Sequence, residues 1–235
     1  MVSRSYGVEI ECIMPNFNEE SIYFNRKFLN KGWEYDWDGS LNYGGIEFKS
    51  PILSKASGFK EIKRMTDWLA RRNARIDKSC GLHVHHNAHD LTKSDILRIV
   101  KSWEANQKQI NKLLAPSRAR NNWCLPWTKM EIRELEIEFE DDLEDYYDRE
   151  RYKAINIESL HTHGTIEIRQ HEGTIDFEEI RSWIIFGQSF IENVAKKRKK
   201  MLNDVTEIPV LLNRIRVPER SKEFYAKKMK MASRV

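Results

Sequence analysis

Cysteine is scarce: Cys12, Cys80 and Cys124 are the only three in 235 residues. Three scattered thiols cannot form a full disulfide set, and they lack the paired spacing of a zinc site. A reducing cytoplasm is the expected compartment. No apolar run approaches the roughly 20 residues of a membrane span, so no membrane partner is expected. The first residues, Met1-Val2-Ser3-Arg4-Ser5-Tyr6, lead straight into a strand-like segment without a signal-peptide core. No glycine-rich phosphate loop of the Walker type is present, and no repeat, low-complexity tract or linker divides the chain. A strong excess of one charge is lacking too. The net charge of +4 permits an anionic substrate such as a nucleotide but does not indicate nucleic acid.

Against these absences stand seven Trp and ten Phe, which argue for a packed core and against disorder. The pattern predicts one catalytic domain over residues 1–200. A Pro-punctuated basic tail over 201–235 would dock on it or hang partly loose. Period-two alternation marks strands at 6–14, 45–49, 81–85, 151–158 and 165–174, with a tight Asp-Gly turn in 32–40. Period-3.6 stripes mark helices at 19–31, 57–73, about 92–114, 128–147 and from 177 onward. Ser57 reads as the cap of the second. Thr128…Glu131 and Asp176…Glu179 have the spacing of capping boxes. The basic run 196–200 reads as a helix C-terminus and the acidic run 134–145 as a solvated helix face. His86, His89, His161 and His163 read as loop or surface residues.

The strands carry an unusual polar face. Successive strand side chains point to opposite sides. Glu9 and Glu11 therefore share a face, with Val8, Ile10 and Cys12 behind them. Glu47 and Lys49 lie opposite Ile46 and Phe48; His83 and His85 lie opposite Leu82 and Val84; Glu167, Arg169 and His171 lie opposite Ile166 and Ile168. Any one of these is commonly a solvated face or a cross-strand salt bridge. Recurrence on four strands is different, because converging carboxylates repel unless cations neutralise them. Hard oxygen donors with an imidazole suit magnesium or manganese; zinc would suit the histidine pair alone. Arg169 adds a bidentate donor for a phosphate or carboxylate. Metals with arginine equip a site for phosphoryl transfer from a nucleotide.

The ordered set Gly7-Val8-Glu9-Ile10-Glu11, Asp38-Gly39-Ser40, Glu47-Phe48-Lys49-Ser50-Pro51, Cys80-Gly81-Leu82-His83-Val84-His85, Arg151-Tyr152…Asn156 and Thr165-Ile166-Glu167-Ile168-Arg169…His171-Glu172-Gly173-Thr174 resembles the amidoligase family over residues 6–190. These are carboxylate–amine ligases of the glutamine synthetase/glutamate–cysteine ligase fold. The resemblance implies an α+β domain: a curved antiparallel sheet of about six strands, related to guanidino kinases, with helices on one face and ATP with Mg2+ (or Mn2+) on the other. It implies amide formation through an acyl phosphate. It also implies that Glu9, Glu11, Glu47, His83 and Glu167 hold metal and that Arg169 stabilises the transferred phosphoryl group. By the same resemblance Arg169, Glu167 and Glu47 are catalytic, Arg169 and His85 serve the nucleotide, Arg151 and Asn156 the nucleotide or substrate, Asp38 and Ser40 form a substrate- or metal-proximal turn, and His171 contacts or backs the substrate. Which of His83 and His85 ligates metal stays open. The partners implied are a carboxylate and an amine, small or macromolecular, with homo-oligomerisation left open. Residues 115–150 align with nothing in the family pattern. Two other readings compete: a metal-dependent phosphotransferase of the guanidino-kinase type, and a non-catalytic nucleic-acid-binding module using the basic C-terminal segment.

Overall fold

The computed structural model describes residues 4–18, 24, 26–141, 151–197 and 202–232. Residues 19–23 and 25 of the predicted 19–31 helix, the acidic stretch past 141 and residues 198–200 of the basic run lie outside them. The described residues form a mixed α/β structure. Six strands, β1 (Tyr6–Ile13), β2 (Glu34–Trp37), β3 (Gly45–Lys49), β4 (Gly81–Asn87), β5 (Ile155–Asn156) and β6 (Thr165–Glu172), make one sheet in the order β2-β3-β1-β4-β6-β5. Every pairing is antiparallel. Seven described helices accompany them: α1 (Lys55–Arg71), α2 (Lys93–Ile110), α3 (Lys129–Asp141), α4 (Ser159–His163), α5 (Phe177–Ile191), α6 (Ile208–Arg214) and α7 (Glu219–Ala232).

The apolar halves of the alternating strands meet the helices. Val8, Ile10, Ile46, Phe48, Leu82, Val84, Ile166 and Ile168 are buried together with Trp68 of α1, Trp103 of α2 and Trp183 and Phe186 of α5. Around β3, the rings of Phe17, Phe24, Phe48 and Trp68 meet largely edge to face. Cross-strand register then fixes the other face: Glu11 stands opposite Glu47 and Glu9 opposite His83. A one-residue slip would send every carboxylate into the core.

Local chemistry sets the helix starts. Thr92 and Asp95 form a reciprocal capping box at α2, and the Asp176 side chain accepts from the Glu179 amide at α5. The predicted cap at Ser57 is displaced. α1 begins at Lys55 after Ser54, and the Ser57 hydroxyl donates to the Ser54 carbonyl at 3.0 Å. The tail docks through α7, where Tyr225 is buried and Lys228 bonds Glu172 of β6 at 2.7 Å and also Glu179 of α5.

Two histidines depart from the sequence reading. His86 is fully buried on the helix side of β4, and neither ring nitrogen has a hydrogen-bond partner. Its neighbour is Gly187 of α5, where a Cβ would come within 2.4 Å of His86 Nε2. Glycine there is what lets α5 approach the sheet. His171 was expected beside Glu167 and Arg169, but a β-bulge moves it. His83 alone stands opposite Arg169 and Gln170, so the register resumes with Leu82 opposite His171. His171 therefore faces the helices, 1% exposed, with its ring 5.0 Å from that of Trp183.

Candidate active site

The polar face of the sheet floors a basin of about 520 Å³. At its centre Glu9 on β1 bridges two imidazoles of β4: Oε2 is 2.9 Å from His83 Nδ1 and Oε1 is 3.2 Å from His85 Nε2. His83 Nε2 lies 3.5 Å from Glu11 Oε1, and His83 Nδ1 lies 3.5 Å from Glu167 Oε1. Glu11 also accepts the backbone N–H of Gly81. On β6, Glu167 accepts from Arg169 at 3.0 Å on one oxygen and from Asn156 of β5 at 2.6 Å on the other. Glu47 on β3 sits 3.1 Å from Lys49 Nζ, which in turn bonds Asp36 at 2.6 Å.

The ligating atoms of Glu9, Glu47 and His83 fall within 4.8 Å of one another, as do those of Glu11, Asp38 and Glu47 and those of Glu9, His85 and Glu167. These overlapping sets make the basin one continuous donor surface. Two of the three β4 histidines take part: His83 is the more central, and His85 is turned by a 3.0 Å contact between its Nδ1 and Thr165 Oγ1.

Charge crowding is visible in the proton affinities. Burial, then the charge of Glu9, pushes the Glu47 carboxyl up to about 7. Glu9 goes the other way. Burial opposes its ionisation, but hydrogen bonds from His83 and His85 overcome it and hold Glu9 well below the usual carboxylate range. His83 and His85 are raised: burial opposes their charged forms, and the Glu9 hydrogen bond and surrounding carboxylates more than compensate.

The other sequence candidates fall on the walls. Asp38 and Ser40 occupy the turn after β2, where Ser40 N donates to Asp38 Oδ1 at 2.8 Å, and both line the basin. Arg151 and Asn156 line it too, the first exposed and the second buried. His171 does not, because the bulge removes it. Several lining residues escaped the sequence reading: Arg118, Trp123, Tyr152, Glu158 and His163. Arg118 comes from a short 3-10 turn, Pro116–Arg120, and is 3% exposed. It donates to the carbonyls of Arg169 at 2.9 Å and Gln170 at 3.3 Å, bracing the bulge that sets Arg169. Trp123 and Tyr152 form an exposed edge-to-face pair, centroids 5.2 Å apart, on the rim. His163, at the exposed end of α4, stands 5.6 Å from the His85 ring. Only the histidine count hinted at His163. Nothing periodic marks a rim arginine or a rim tryptophan.

The sheet thus has helices on one side and a basin of carboxylates, imidazoles and a guanidinium on the other. The family model described as putative amidoligase enzyme matches residues 25–191, and the chain belongs to that family. The description marks its members as ligase-type enzymes. β1, with Glu9 and Glu11, precedes the matched span; its pairing with β3 and β4 puts those carboxylates in the basin. No curated protein matches the chain. Among the described residues no helix is long and apolar enough to cross a membrane.

Proposed function

We propose that the protein is an ATP-dependent carboxylate–amine ligase with a glutamine synthetase-like catalytic sheet. The supporting observation is the convergence of Glu9, Glu11, Glu47, His83 and Glu167 on one face, with ligating atoms within 4.8 Å in overlapping sets. The donor set fits a divalent cation. It is rich in carboxylate oxygen, and burial, then the charge of Glu9, makes Glu47 resist ionisation near neutrality. Glu9, Glu11, Glu47, Glu167 and His83 would hold Mg2+ or Mn2+. When bound, such ions neutralise phosphate oxygens and so ease attack by an anionic carboxylate.

The chain's own groups supply the rest. Arg169, fixed by Glu167 and by the Trp123 carbonyl at 3.2 Å, presents its guanidinium to the γ-phosphoryl group as charge moves onto its oxygens. Arg151 and the Trp123–Tyr152 rim take the outer part of the nucleotide. A substrate carboxylate oxygen attacks the γ-phosphorus and ADP leaves. The amine nitrogen then attacks the acyl carbon, phosphate leaves, and the nitrogen's surplus proton is released to give the amide. The Ser40 hydroxyl orients the acid, and Asp38 holds the Ser40 turn by accepting its N–H. The test incubates the protein with ATP, Mg2+ and paired pools of carboxylates and amines. ADP release that needs both pools is expected. ATP binding and ADP release absent with every pair would overturn the reading, and a stable phosphorylated product without amine would make the chain a phosphotransferase.

A further inference from the structure

A second cleft, of about 290 Å³, opens from the basin at the Ser5/Asn87/Thr165 end of the sheet. It shares Glu9, Lys49, His85 and His163 with the basin, so the two cavities meet at the carboxylate–imidazole centre. Its own lining differs in kind. Gly7, Ser50, Pro51, Ile52 and Asn87 replace the arginines, exposed aromatic rings and aspartate of the basin. The Ser5, Ser50 and Asn87 side chains are already satisfied within the chain, the Tyr6 hydroxyl is buried without a partner, and the His89 and His163 imidazoles are exposed to solvent. Ser50 Oγ accepts from Val8 N and donates to the Pro51 carbonyl, both at 2.9 Å. Asn87 donates to Ser5 Oγ at 3.1 Å and accepts from His89 N at 3.0 Å. A ligand along Ser50 and Asn87 meets apolar contact and saturated polar atoms, so its stem is uncharged. Ile52 stands 86% exposed at the mouth.

Glu9, whose two oxygens also meet His83 and His85, is the one carboxylate among the cleft's lining residues. Lys49 turns into the basin, bound to Asp36 and Glu47, while Glu9 presents a carboxylate where the two cavities join. Gly7 keeps the floor open. It pairs with His85 across the sheet, and a Cβ there would stand 3.8 Å from Ser50 Oγ and 3.9 Å from His85 Cβ. A side chain fits sterically and takes up cleft space. We propose that this cleft receives the second substrate: a primary amine on a slender, uncharged aliphatic stem, threaded past Ile52 and Gly7 with its nitrogen at the Glu9–His85 junction. The amine's catalytic purpose rests on the ligase reading above, whereas its binding is measured independently.

The test is an amide-proton NMR titration with n-hexylamine and with sodium hexanoate at matched ionic strength. Hexylamine is expected to shift Gly7, Ser50, Asn87 and Thr165 while hexanoate leaves them in place. Gly7→Val fills the floor, and Ile52→Lys puts a like charge at the mouth. Gly7→Val should weaken hexylamine binding at least roughly fivefold by taking its space, and Ile52→Lys roughly twofold at low salt, the two charges lying about a stem length apart in water. A thermal melt verifies that Gly7→Val folds; if it does not, the exposed Ile52→Lys decides. Equal response to both ligands, shifts elsewhere, no binding, or unchanged affinity in the folded variants would overturn the proposal. MgATP is titrated into the same wild-type sample. Hexylamine binding without MgATP binding sinks the ligase reading and keeps the cleft; the converse keeps the ligase reading and sinks the cleft.

Discussion

Glu47→Gln should make the protein more stable and less able to hold metal. The Glu47 side chain is 12% exposed beside Glu9, and burial with that neighbour raises its carboxyl from 4.5 to about 7. A carboxyl raised on folding binds its proton more tightly in the native state. Its charge therefore costs nothing below about pH 4.5, and the cost grows between 4.5 and 7 and is complete above 7. A shift of that size corresponds to about 3 kcal/mol at most. For a domain of this size that is a rise in Tm of roughly 10 °C as an upper bound. The neutral amide keeps the shape and removes the charge. In EDTA at pH 8, Glu47→Gln should melt above wild type; at pH 4.5 the two should melt together. Saturating Mn2+ should reverse the order at pH 8, because the ion stabilises only the protein that binds it well. Equal melting of the two proteins at pH 8 in EDTA, or a Mn2+ response as large in the variant as in wild type, would refute the reasoning.

Two further predictions concern the helix side. His86, buried without a partner, is held down to about 3 from 6.5, chiefly by burial. The unfolded chain gains a proton there first, so stability is full above about pH 6.5 and falls by up to about 1.4 kcal/mol per unit below it. His86→Leu should flatten that part of the urea-denaturation profile between pH 6.5 and 4.5; an unchanged slope would assign the acid sensitivity elsewhere. Lys228→Met leaves Glu172 and Glu179 facing each other without their cation, and should cost about 2 kcal/mol at pH 7, reduced from the fully buried case by partial exposure. Adding Glu179→Gln should recover much of the loss in urea melts, and no recovery would mean that α7 docks by apolar contact alone.

Four strands of the sheet and the centre of the basin were legible because both rest on period two, whereas β2 fell in the stretch read as a turn and β5 is two residues where 151–158 was expected. Glu9, Glu11, Glu47, His83 and Glu167 alternate with buried apolar residues, and the register brings them to one face. His171 follows the same alternation in sequence yet lands on the other side, since a bulge opposite His83 adds a residue that no pattern announces. His86 looked like a surface residue because its neighbours His83 and His85 are polar, but its parity is that of Val84, and parity prevailed. The basin walls were opaque for another reason. Arg118, Trp123 and Tyr152 reach the rim from irregular segments tied together by backbone bonds such as Leu125 N to the Tyr152 carbonyl at 2.7 Å. Irregular segments carry no period from which to read a direction.

The central claim, that one face of this sheet holds divalent metal for a nucleotide, is tested most directly by an equilibrium Mn2+ titration followed by electron paramagnetic resonance, with and without ATP. Wild type should bind Mn2+, and ATP should tighten that binding by adding phosphate oxygens to the ion's shell. Glu167→Gln should weaken both. No Mn2+ binding by wild type, or binding that neither ATP nor Glu167→Gln alters, would contradict the account.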